Sequence, residues 1–165
     1  MALDSPDIDQ LEARMRPRAL SKAGFLGPHE SLRAVMAADA LAIERIGVTF
    51  EMLATALEAL IAAANAERTR EAVVGGTHRV RIRQSLGFQI CPWSPDPQRV
   101  QCTGRALDFS SLDWSIENLR TGRALNGPGL IVHLMHDHHF CEGRESPCRV
   151  DPVVLAELLE LGLMR

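Results

Sequence analysis

A chain of 165 residues, 46% hydrophobic and 24% charged, has the length and composition of one ordinary globular domain. Its formal charge of -3 rules out a global positive field that would steer it to nucleic acid or an anionic membrane. No run of about 18 apolar residues is present to span a bilayer.

The N-terminal stretch "MALDSPDIDQLEARMRPR" starts acidic and lacks the continuous apolar centre of a secretory signal. We therefore expect a cytosolic (cytoplasmic) protein, in which Cys91, Cys102, Cys141 and Cys148 are thiols rather than disulfides. Residues 1–28 hold Pro6, Pro17, Gly24, Gly27 and Pro28 and read as an irregular lead-in with one short helix around 7–16. Two helices follow. Leu32, Val35, Met36, Ala40 and Ile43 stand at helical spacing between His29 and Ile46, and Gly47 ends the pattern. Thr49 can cap the second helix, whose stripe is Leu53, Leu57, Leu60 and Ile61. So short a connection predicts an antiparallel hairpin, with its stripes packed in the core or against a second copy as a homodimer.

Gly75-Gly76 marks a change of period from 3.6 to 2, dividing a helical region 1–74 from a β-rich region 75–165. In "HRVRIRQSLGFQIC" Val80, Ile82, Leu86, Phe88 and Ile90 share one face; Arg79, Arg81 and Arg83 share the other. That arginine stripe could contact anions such as phosphates, although a solvated sheet face is the plainer reading. The three prolines of "CPWSPDPQRVQC" exclude regular structure, and Trp93 there is a candidate contact surface. "SLDWSIENL" alternates as a strand with Trp114 inward, "RTGR" turns, and Arg123–Leu125 returns as a short partner. A helix should begin near Pro128 and run to about His138. Asp151 and Pro152 open the last one, which Gly162 closes. The fold class expected is α+β: helical hairpin, small antiparallel sheet with a zinc knuckle, and C-terminal helices.

"GPGLIVHLMHDHHFCEG" places His133, His136, His138 and His139 within seven positions. Zinc favours four thiolate and imidazole ligands in a tetrahedron. Cys91 and Cys102 close the two ends of the proline-stiffened loop, and His133 and His138 fall within the usual spacing of paired histidine ligands. On an ideal helix, residues five apart lie about 140° from one another, so these two converge only if the last turn unwinds near Asp137. His136 lies about 60° and Asp137 about 40° from His133, which makes either a substitute fourth ligand. We take Cys91, Cys102, His133 and His138 as the metal set, with His136 and His139 more exposed. Cys141 and Cys148 read as scattered reduced thiols.

The order of two cysteines, β structure and two helical histidines is similar to the Cys2His2 zinc finger over about residues 91–138. It departs from the finger in its cysteine spacing and in the 30 residues between Cys102 and His133, which argues against a DNA-reading module. "TGRALNGPGLIVHLMHDHHFCEG…SPCRVDP" also resembles a segment of bacterial proteins of unassigned function; the resemblance implies a bacterial source and carries no chemistry.

A fully ligated Cys2His2 site is structural, and a binding or regulatory protein is the function expected. With one ligand missing, a metal-bound water could be activated by Asp137 or Glu142, giving a metal-dependent hydrolase. The third reading is a nucleic-acid module built on Arg79, Arg81 and Arg83. No HExxH, phosphate-cradling glycine loop or GxSxG elbow is present.

Overall fold

In chain order the elements are α1 (Ile8–Met15), α2 (Leu32–Arg45), α3 (Phe50–Asn65), β1 (Glu71–Val74), β2 (His78–Ile90), β3 (Phe109–Asn118), β4 (Ala124–Pro128), α4 (Leu130–His138) and α5 (Pro152–Leu159). The structure is a computed structural model, and it describes residues 7–97, 102, 103, 107 and 109–162. Residues 98–101 of the expected knuckle therefore lie outside the described residues.

Short polar side chains decide where four of the helices begin. Asp7, Ser31, Thr49 and Asp151 each accept a backbone N–H of the first turn of α1, α2, α3 and α5. Each cap contributes about 1 kcal/mol. Thr49 and Asp151 are the caps expected from the sequence.

The four strands form an antiparallel meander in the order β1-β2-β3-β4. β1 was not legible in the sequence. It pairs with β2 from Glu71↔Arg81 to Val74↔His78, and the three-residue turn between them is Gly75-Gly76-Thr77, with both glycines at positive φ. Such a turn has the twist a tight hairpin needs, and glycine adopts it without steric cost.

α3 packs on β1 and β2 and also touches α4 and α5, while α4 and α5 lie against β3. The stripe Leu53, Leu57, Leu60 and Ile61 is thus buried within the chain. One apolar cluster runs from Leu11 through Phe25, Leu57, Trp114 and Leu134 to Leu159, across the 74/75 boundary.

Two local expectations change. α2 and α3 meet at a bend of 84°, forming a corner instead of an antiparallel hairpin. α5, not α3, is the helix that packs on α2. In β2, Val80 and Ile82 are buried, but Leu86 and Phe88 are exposed. The ladder with β3 shifts register between Gln84 and Gln89, which breaks the alternation that placed all five apolar residues on one face.

Candidate metal centre

β2 ends at Ile90, and the next residue, Cys91, turns into the core with no exposed surface. Its carbonyl accepts from Ser94 N at 3.1 Å, which closes a tight turn. Arg14 of α1 holds that turn from outside, donating from Nη1 to Pro92 O at 2.9 Å and Ser94 O at 2.7 Å. The N-terminal helix thereby positions a thiol about eighty residues away in the chain, a link that spacing alone did not reveal.

α4 carries the histidines. Every residue from Leu130 to Met135 is buried, His133 among them. The helix stays regular through His138 and ends at His139, whose φ of 53° is left-handed. Phe140 N then reaches back to Leu134 O at 3.1 Å, which closes the helix. The unwinding expected near Asp137 does not occur. Instead the two imidazoles reach toward each other, with ring centroids 5.0 Å apart and planes at 87°.

His138 Nε2 lies 3.3 Å from Cys91 Sγ and 3.4 Å from Cys102 Sγ. Taken together, one ligand atom each from Cys91, Cys102, His133 and His138 lie within 4.8 Å of one another. Metal bonds of about 2.0–2.3 Å give tetrahedral edges of about 3.3–3.8 Å. Both sulfur–nitrogen separations match such an edge. This cluster could hold a metal ion.

The surroundings keep both protonatable partners neutral in the absence of a cation. Burial, reinforced by neighbouring Cys102, pushes the Cys91 thiol well up. Burial, with His133 beside it, pushes His138 down to about 4, against the opposing pull of Asp137. A neutral imidazole is the ligating form, whereas a thiol gives up its proton when a cation arrives.

Two side chains orient the histidines. Asp137 Oδ2 lies 2.7 Å from His133 Nδ1, and its Oδ1 lies 2.9 Å from His136 Nδ1. With Nδ1 of His133 facing a carboxylate, Nε2 is the nitrogen that can turn to a cation. Trp93 stacks flat on His138, centroids 4.3 Å apart and planes 6° apart, and meets Phe140 edge-on. Trp93, half-buried, is thus part of the wall of the centre.

The remaining candidates sit elsewhere. His136 and Asp137 are outside the four-atom group. His139 is exposed, stacks on Phe50 and pairs with Glu51 at 2.9 Å. Cys141 is wholly buried and Cys148 half-buried, both as free thiols. Arg79 pairs with Glu117 at 3.2 Å and Arg81 with Glu71 at 3.0 Å, which neutralises much of the basic stripe. Arg83 makes no hydrogen bond or ion pair among the described residues.

A buried ion pair also escaped the sequence reading. Arg149 Nη2 donates to Asp39 Oδ1 at 2.7 Å and Nη1 to Asp39 Oδ2 at 3.0 Å. Nη1 also donates to Glu142 O at 2.7 Å. The signal was present in α2: Asp39 stands four residues from both Val35 and Ile43, an acid in an apolar row.

A scan against protein-family models finds no match, and comparison with curated proteins and with solved structures finds none either.

Proposed function

We propose that Cys91, Cys102, His133 and His138 hold a zinc ion in a closed structural centre, and that the chain is a zinc-stabilised cytosolic protein with a binding or regulatory role. One observation carries this reading: the end of β2, the loop at Cys102 and α4 bring four donor atoms within 4.8 Å of one another. Two thiolates and two imidazoles are the donor set zinc takes in structural sites. Four protein ligands leave no coordination position for water. Asp137 faces His133 and His136. Glu142 is buried against Ser146 Oγ at 2.7 Å. Neither is placed as a base for a metal-bound water, which favours the structural role over a hydrolase. The paired arginines and the charge of -3 weigh against nucleic acid.

Elemental analysis together with X-ray absorption tests the proposal. The expected result is one zinc per chain with two sulfur and two nitrogen neighbours. Protein purified without stoichiometric metal, and unable to take up zinc, would overturn it. One oxygen neighbour in place of a protein ligand would transfer the assignment to the hydrolase.

A further inference from the structure

The sheet carries a second feature, away from the cluster of cysteines and histidines. A cleft of about 670 Å³ opens over β2 and β3, and the loop at Cys148 forms part of its wall. That volume is in the usual range for small-molecule sites, about 300–1,000 Å³.

Strand register sets what the cleft presents. Arg83 is paired with Asp113 across β2 and β3, and Arg81 with Ser115; all four line the cleft. Directly opposed side chains on an antiparallel sheet start about 4.5–5.5 Å apart, so Arg83 and Asp113 are placed to form an ion pair. They form none. Asp113 Oδ2 accepts instead from Ser85 Oγ. Arg83 stays without a partner among the described residues, while Arg81 is tied to Glu71. Gln89, also lining the cleft, has its Nε2 3.8 Å from Cys148 Sγ. Its Oε1 is enclosed and has no hydrogen-bond partner among the described residues. A buried acceptor left so costs about 1–3 kcal/mol.

The cleft therefore holds one uncommitted cationic fork beside an exposed carboxylate, Asp113, whose one donor is a hydroxyl. A simple anion would satisfy Arg83 but face the Asp113 carboxylate. A simple amine would satisfy Asp113 but face Arg81 and Arg83. Only a molecule carrying both charges meets both sides. We propose that this cleft binds a small zwitterion of the free amino-acid class, its carboxylate on Arg83 and its ammonium on Asp113. Carboxylate on guanidinium is a two-point contact that fixes orientation as well as charge. An ammonium has three donors, and a carboxylate such as Asp113 can accept from them with both oxygens.

Titrating the ¹⁵N-labelled full chain with each of the twenty free L-amino acids, and following amide shifts, tests this. At least one amino acid should saturate shifts in β2 and β3 with a midpoint below about 1 mM. Acetate, methylammonium and inorganic phosphate should each bind at least about tenfold more weakly. Arg83→Gln and Asp113→Asn should each weaken the amino acid at least about tenfold. Both positions are exposed, and unchanged metal content and melting temperature verify that the variants fold. The proposal is overturned if no amino acid saturates, if acetate or phosphate binds as well as the amino acid, or if both variants bind like the parent. Because the variants leave the metal ligands intact, failure here is distinct from failure of the zinc assignment.

Discussion

Withdrawing zinc from the proposed centre should lower the melting temperature by an amount that can be worked out beforehand. The donors tie together positions as far apart as Cys91 and His138, 47 residues along the chain. The unfolded chain cannot hold them together, so zinc binds the folded state preferentially. A ligand of this kind adds RT ln(1 + [L]/Kd), about 4 kcal/mol when free metal is a thousandfold above Kd. For a chain of 165 residues, each kcal/mol moves the midpoint by about 2–4 °C. A chelated sample should then melt about 8–16 °C below one held at that zinc excess. Scanning calorimetry in zinc buffers measures the difference directly. Two variants supply the control. His138→Ala should abolish the zinc-dependent shift, and His136→Ala should keep it. Coincident melting with and without zinc, or equal losses in the two variants, would refute the reasoning.

Three further outcomes are expected. Asp137→Ala should lower zinc affinity by about 10–100-fold, measured by competition with a chelating dye, because the carboxylate orients His133. Asp39→Ala should cost about 3–5 kcal/mol in urea unfolding, since it leaves the Arg149 guanidinium buried without its carboxylate; a loss under 1 kcal/mol would show that the pair contributes little. Burial pushes the Glu142 carboxyl up to about 7 from 4.5, against the Ser146 hydrogen bond and the Arg149 charge. The folded state therefore holds this proton where the unfolded chain has released it. Stability from this group is complete below pH 4.5 and is lost as pH rises to about 7. Glu142→Gln should remove that decline, so the stability difference between parent and variant should grow in the variant's favour from pH 5 to pH 8; a constant difference would contradict it.

Local chemistry made much of the molecule legible. Thr49 and Asp151 announce their helices because a short oxygen side chain satisfies backbone N–H groups wherever it stands. The two cysteines and two histidines could be chosen as a set because few residue types ligate soft cations and their spacing was suggestive. Leu86 and Phe88 show where such reasoning stops. Alternation assigned them inward, and the register shift between Gln84 and Gln89 turned them out. β1 is four residues long and becomes a strand only through its ladder to β2, so its own sequence carried little signal.

The sequence by itself determined the starts of α3 and α5, the helical apolar stripes and the candidate ligand types, each of which depends on residues within a few positions of one another. Tertiary structure decided that α2 turns a corner into α3, that Arg14 holds the Cys91 turn and that Trp93 lies flat on His138. It also brought Asp39 to Arg149 across 110 positions. The reason is physical: burial and long-range pairing depend on which surfaces meet after the chain packs, and local spacing holds no record of that meeting.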